Sequence, residues 1–218
     1  MLTINLKKLE LSGFLLKNIS FKAQKGEMLF LVGLNGSGKT TLLKTLTGVY
    51  ATLPKEIVYK NKTLLPSLVE YIPSALQPTL SLKVQFFLEA SLNRLFCNKE
   101  ETEKILKVAR FLKITPLLPK DMKNLSSGEM AKVLLAKALL SKKPIILWDE
   151  PTSFLDIAYQ KFLQKALLKL KFKKIWIFSS HHYAWAKPLA NRYIGLLKGE
   201  QVFYYDTLNK KDLKKILF

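Results

Sequence analysis

The stretch GLNGSGKTT, residues 33–41, has the make-up of an anion cradle. It follows the pattern G-x-x-x-x-G-K-[ST]. Gly33, Gly36 and Gly38 let the backbone curl until successive N–H groups converge on phosphate oxygens. Lys39 can reach the β- and γ-phosphates, and the Thr40 hydroxyl can ligate Mg²⁺. Asn35, Ser37 and Thr41 complete the segment expected to line a bound nucleotide. A second chemical pair lies much later, in IILWDEP at 145–151. Two carboxylates follow four apolar residues. Asp149 suits a direct or water-mediated Mg²⁺ role, and Glu150 is placed to polarise a water for attack on the γ-phosphate.

These groups need elements that deliver them to one edge. EMLFLVG reads as a strand buried on both faces, and TTLLKTLTG as a short helix ending at Gly48. PIILWDEP and KIWIFSSHH read as two further buried strands. FLLKNIS reads as a strand near the start, and KEIVYKNKT resembles a hairpin. Residues 82–113 are mostly helical in pattern, broken near Asn98, and ITPLLPKD is a loop. Phe86, Phe87, Leu88, Leu92, Leu95 and Phe96 in this region are expected to be mostly core. GEMAKVLLAKALLS patterns as an amphipathic helix with Met130, Val133, Leu134, Ala138 and Leu139 on its apolar positions. IAYQKFLQKALLKLK is another helix. Strands alternating with helices argue for a parallel α/β sheet with its site at the strand C-termini.

The chain has 218 residues and 49% hydrophobic content, enough for one domain with an inserted lobe. No apolar run is long enough to span a membrane, and the N-terminus lacks the uninterrupted apolar core of a signal peptide. Cys97 is the lone cysteine, so no internal disulfide forms, and a buried or half-buried thiol in a cytoplasmic protein is expected. The formal charge is +20, yet the arginines are Arg94, Arg110 and Arg192 only. Readers of nucleic acid favour the planar guanidinium. Lysines spread along stretches such as KFLQKALLKLKFKK instead describe a solvated surface, one that could sit near anionic head groups.

One more segment, LSSGE at 125–129, stands before the amphipathic helix. With it the sequence resembles the ATP-binding subunits of ABC transporters. The resemblance runs nearly the length of the chain, in order: the phosphate loop, LSSGE, the acids at 149–150, SFLD at 153–156, and SSHH at 179–182. It implies an α/β P-loop NTPase core with a mainly parallel sheet and an N-terminal antiparallel β portion. A helical subdomain is expected at about 82–124, inserted between core segments 1–81 and 125–218. It further implies a head-to-tail homodimer that closes around ATP and Mg²⁺. Ser126 and Gly128 of one copy would then hold the γ-phosphate on the other. Asp156 would connect the two sites, and His181 would hydrogen-bond the γ-phosphate and place the attacking water. His182 stands where the family often has aspartate. A softer likeness, in DEPTSFLDIAYQ and SSHHYAWAKPLANRYIGLLKGE, points to importers of iron chelates and vitamin B12. That would place the chain at the cytoplasmic face of the membrane, with a permease and an extracytoplasmic substrate-binding protein as partners.

The sequence also departs from the family pattern. Ser127 replaces a usual glycine, and the chain is short for the group. The aromatic residue expected to stack on adenine has Phe14 as its nearest candidate. In the family a glutamine follows tyrosine-x-proline and ligates Mg²⁺. Here Tyr71-Ile72-Pro73 is followed by Ser74, and Gln77 comes three residues late. Gln77 is favoured over Ser74 as the ligand, because a loop shifts more easily than a serine lengthens. Among other functions, an exporter ATPase is the main rival. A soluble ABC ATPase acting on nucleic acid would use the charge, and a small nucleotide kinase would leave LSSGE and His181 without a purpose.

Overall fold

The computed structural model describes the chain apart from residues 12, 51–53, 77, 80, 93–97, 171–173, 210, 211, 213, 215, 217 and 218. Gln77, Arg94, Leu95, Phe96 and Cys97, singled out above, lie outside the described residues.

The chain divides into two compact units. The first is Met1–Tyr71, Lys143–Thr152 and Ile157–Phe218; the second is Ile72–Lys142 with Ser153–Asp156.

The first unit is built on a sheet. Strands β1 (Leu2–Leu11) and β2 (Phe14–Ala23) form an antiparallel hairpin. Leu2, Ile4 and Leu6 of β1 and Leu16, Ile19, Phe21 and Ala23 of β2 are buried. The alternation slips between Leu16 and Ile19, where Asn18 takes φ +53, a left-handed conformation that asparagine tolerates. Then come β3 (Met28–Val32), β4 (Ile57–Tyr59), β5 (Lys62–Thr63), β6 (Val69–Ile72), β7 (Ile145–Trp148), β8 (Ile175–Ser179), β9 (Arg192–Leu197) and β10 (Glu200–Tyr205). The order is β5-β4-β1-β2-β10-β9-β3-β8-β7-β6. Pairing is antiparallel across β1, β2, β4 and β5, and parallel across β9, β3, β8 and β7. The strand-rich start and the parallel core expected from the sequence are both present.

The hairpin β9–β10 is not among the elements expected from the sequence. Its turn, Lys198–Gly199, has φ +47 and +81, the two positive values of a type I′ turn whose twist suits flanking strands. The hairpin joins β2 to the parallel strands.

All five residues of β3, of MLFLV, are buried, because the strand has core on both faces. Leu29 and Leu31 join one cluster with Ile145, Leu147, Ile175 and Ile177. Phe30 faces an aromatic cluster instead: its ring stacks on Phe178 at 4.9 Å, and Trp185 meets it edge-on at 5.9 Å. Helix α1 (Lys39–Thr45) follows β3, and Gly48, at φ +75, ends the segment beyond it. On α5 (Ile157–Leu170), Leu163, Ala166 and Leu167 are buried, while Lys161, Lys165 and Lys169 face solvent as expected. A short helix, α6 (Tyr183–Ala186), carries Trp185.

The second unit is helical. It holds α2 (Val84–Ala90), α3 (Lys99–Phe111) and α4 (Ser127–Leu140), with α4 packed on both others. That packing is why the unit extends beyond the 82–124 lobe to include α4. Asn98 breaks the helical stretch as expected: it caps α3 in a reciprocal box with Glu101. The loop at 114–121 contains a 3-10 turn at Thr115–Leu117. Phe86 is 54% exposed and is not core. Val84 and Leu88, one turn apart, bury the α2 face, and Phe86 projects from another side. Nor is α4 simply amphipathic: Leu135, Ala136 and Leu140 are buried along with Met130, Val133, Leu134 and Ala138, while Leu139 is only half-buried. A helix covered on two sides has little need of a polar face.

Candidate functional site

Strands β3, β8 and β7 are adjacent and parallel, so their C-terminal ends open on one edge. Trp148 pairs with Phe178, and Leu31 with Ser179. The phosphate loop leaves β3 there, the two acids leave β7, and Ser180-His181 leaves β8.

The loop is shaped by close backbone contacts. A side chain at Gly33 would put its Cβ 2.4 Å from the Leu196 carbonyl oxygen and 2.6 Å from Ser37 Oγ. Gly38, at φ +103, caps α1 and lies against the Phe14 ring. Gly199 N–H donates to the Ser37 carbonyl across 2.9 Å. The β9–β10 turn thus holds the loop from below. Asn35 and Gly36 are exposed at its crest, and Thr41 is half-buried. The Phe14 ring packs against Gly38 of this loop.

Lys39 is buried, and its ammonium donates to the carbonyls of Gly33 at 2.8 Å and Leu34 at 3.0 Å. Burial lowers its pKa, and the Glu150 and Asp149 carboxylates work in the other direction. Thr40 Oγ1 donates to Asp149 Oδ2 at 2.7 Å.

Asp149 is buried at 3% exposure, yet three hydroxyls reach it. Besides Thr40, Tyr71 donates to Oδ2 at 3.3 Å and Ser179 donates to Oδ1. Burial, then the neighbouring Asp149 charge and hydrogen bond, push the Tyr71 phenol well above its ordinary range, so it remains a donor. Tyr71 and Ser179 were missed from sequence. Ser179 ends an apolar strand and Tyr71 lies one residue from the end of β6, and only the tertiary structure shows that both reach Asp149.

Glu150 occupies φ +47, just before Pro151. A non-glycine residue in that region costs about 1–3 kcal/mol and persists only where its surroundings impose it. Its N–H donates to Ser179 Oγ at 2.9 Å. His181 Nδ1 lies 2.8 Å from Glu150 Oε2, close but without the alignment of a hydrogen bond, so Oε2 has no hydrogen-bond partner among the described residues. The His182 ring stands edge-on to His181 at 4.7 Å.

This set suits a triphosphate nucleotide with Mg²⁺. Gly33 sits where any side chain would clash, Ser37 Oγ is buried without a partner, and a buried ammonium sits beside the loop. Mg²⁺ takes few protein oxygens and keeps substrate phosphates and water as its other ligands. Thr40 and Asp149 fit that habit; no group of three or more acidic, histidine or cysteine side chains gathers among the described residues.

Ser126, Gly128 and Asp156 belong to the second unit. Ser126 is the N-cap of α4: its Oγ accepts the Glu129 N–H at 3.2 Å, and Glu129 Oε2 accepts the Ser126 N–H at 2.9 Å. Accepting leaves the hydroxyl proton free to donate elsewhere. Ser127 is exposed in the first helical position. Gly128 is more constrained, since a Cβ there would come 3.1 Å from the Phe154 carbonyl. Asp156 is exposed. Ser74 lines a groove of this unit with Met122, Leu125, Met130 and Phe154.

The profile of the family described as ABC transporter matches residues 16–153. The chain belongs to the ABC transporter family. It is an ABC-type ATPase, the ATP-binding subunit of a transporter. One relative is the molybdate/tungstate import ATP-binding protein WtpC of Methanocaldococcus jannaschii. It is 32% identical over 213 residues, covering 93% of this chain and 70% of that protein. Another is the energy-coupling factor transporter ATP-binding protein EcfA of Aster yellows witches'-broom phytoplasma. That match is 34% identical over 200 residues, 86% of this chain and 72% of the relative. Among solved structures, an inward-facing ABC transporter ascribed to the metal-chelate type shares the fold. Its TM-score is 0.83 at 24% identity, over 99% of this chain and 88% of that one. No helix among the described residues of this ABC ATPase is long and apolar enough to cross a membrane.

Proposed function

We propose that this chain is the ATP-hydrolysing subunit of an ABC importer, and that two copies close head to tail around ATP. The contact that carries the reading is His181 Nδ1 at 2.8 Å from Glu150 Oε2, beside the Thr40–Asp149 hydrogen bond. Glu150, whose Oε2 keeps its lone pairs free, takes the proton of the attacking water. His181 orients that water and the γ-phosphate. Lys39 and the N–H groups of Gly36 and Gly38 hold the phosphates. Thr40, Asp149 and Gln77 would hold Mg²⁺, which would supply positive charge to offset that of the phosphates. Ser126 and Gly128 of the second copy supply donors to the γ-phosphate, and Asp156 links the two sites.

Import is supported by the name of one relative, a molybdate/tungstate import ATP-binding protein. The segments DEPTSFLDIAYQ and SSHHYAWAKPLANRYIGLLKGE favour an iron chelate or cobalamin as cargo. The subunit then works at the cytoplasmic face of the membrane, bound to a permease and served by an extracytoplasmic binding protein.

Purifying the tagged chain from host membranes in mild detergent tests the assembly. A multi-helix permease with a substrate-binding protein is the expected company; a permease alone points to export, and nucleic acid retained at physiological salt overturns the membrane role. Uptake of labelled iron chelate, cobalamin and molybdate by the same host then tests the cargo. Loss of molybdate uptake alone in a Glu150→Gln strain would contradict the iron-chelate and cobalamin assignment.

A further inference from the structure

Ser179 ends β8, a strand whose other residues, IWIF, are apolar and buried. A fully buried hydroxyl at that place needs a reason. Because Trp148 pairs with Phe178 in parallel register, Ser179 stands level with Asp149 on the neighbouring strand. Its Oγ–H donates to Asp149 Oδ1, and the same oxygen accepts the Glu150 N–H at 2.9 Å.

We infer that Ser179 is a positioning residue for hydrolysis, its hydroxyl fixing both acids at the end of β7 in their working arrangement. The inference rests on Glu150 being the base. A serine has one proton to give, so giving it to Asp149 leaves the oxygen lone pairs for Glu150. The direction of both bonds is therefore set. Thr40 and Tyr71 hold the other oxygen of Asp149, so the carboxylate is clamped from both sides. For Glu150 the effect is on the backbone. At φ +47 its peptide is in a conformation that L residues rarely adopt, and the bond to Ser179 holds its N–H there. Rotation of that peptide swings the carboxylate away from His181. Both hydrogen bonds of the Ser179 hydroxyl go to the acids and none to the phosphate loop. Ser179 thus reaches the nucleotide only through the acids, and its effect falls on turnover rather than on metal-free ATP binding.

The test compares Ser179→Ala, Ser179→Thr and Glu150→Gln with the natural chain. Turnover is read by phosphate release with Mg²⁺ present, and ATP affinity by calorimetry in EDTA, where Asp149 holds no metal. Ser179→Ala lowers kcat by about 10- to 100-fold, the effect of one hydrogen bond to a charged group, with the ATP Kd within about threefold. Ser179→Thr keeps the hydroxyl and recovers most of the loss. If the alanine variant does not fold, Ser179→Cys, close in size and a weak donor, replaces it with the same expectation. A kcat within about twofold of the natural chain overturns the inference. So does a joint loss of kcat and affinity in which threonine does no better than alanine, because that marks a purely structural side chain. If Glu150→Gln itself turns over normally, the base assignment falls and the inference with it. If Glu150→Gln is inactive while Ser179→Ala is not impaired, only the inference falls.

Discussion

Thr40 and Asp149 meet side chain to side chain: Oγ1 donates to Oδ2 across 2.7 Å, joining the first turn of α1 to the end of β7. The phosphate loop and the acids are thereby tied together within one unit. Thr40→Val keeps the volume and removes the hydroxyl. The Mg²⁺ concentration for half-maximal ATPase rate should rise by about tenfold or more, while ATP affinity in EDTA stays the same. A metal titration of ATPase rate in the variant and the natural chain checks this.

Ser126 caps α4, and in the proposed closed dimer it would also donate to the γ-phosphate. Ser126→Ala should cost about 1 kcal/mol of stability and lower turnover. Ser126→Asp keeps the cap, so its melting point should stay near that of the natural chain, yet its carboxylate repels a γ-phosphate and turnover should fall further. Thermal melts paired with ATPase assays check both halves.

Gly199 stands where a Cβ would meet the Leu15 carbonyl oxygen, and its N–H holds Ser37. With φ at +81 as well, Gly199→Ala should destabilise the chain by about 1–3 kcal/mol and weaken ATP binding. Calorimetric melting and nucleotide titration would show it. A variant that loses stability but binds ATP normally would separate the turn from the phosphate loop.

Much of this site was legible in the sequence, for a physical reason. The phosphate loop, the acids after IILW and the histidine after IWIFSS are each local: the residues and the strand that delivers them are consecutive. What was not legible depends on pairing. Ser179 and Tyr71 matter because they face Asp149, and no local pattern says which strand lies beside β7. The β9–β10 hairpin did carry a local signal, two apolar runs about Lys198–Gly199, yet its purpose, holding β2 and Ser37, is long-range. Phe86 misled because aromatic type suggests core, whereas the α2 face is set by Val84 and Leu88. The pattern of α4 misled in the same way, since burial on two sides leaves no polar stripe to read.

Phe178 is fully buried and contacts Phe30, Trp148, Trp176 and Trp185, with ring centroids at 4.9, 6.1, 5.8 and 6.2 Å. It also immediately precedes Ser179. Phe178→Ala should cost about 3–5 kcal/mol, visible in denaturant unfolding. Phe178→Leu should cost less, because it refills part of the cavity.

In the proposed mechanism hydrolysis runs through Glu150, while ATP binding does not depend on it. The direct measurement is ATP turnover and ATP affinity of Glu150→Gln on the same preparation. Turnover should fall by about 100-fold or more, with the Kd within about threefold of the natural chain. Turnover within a few-fold of the natural chain, or affinity lost in step with turnover, would contradict it.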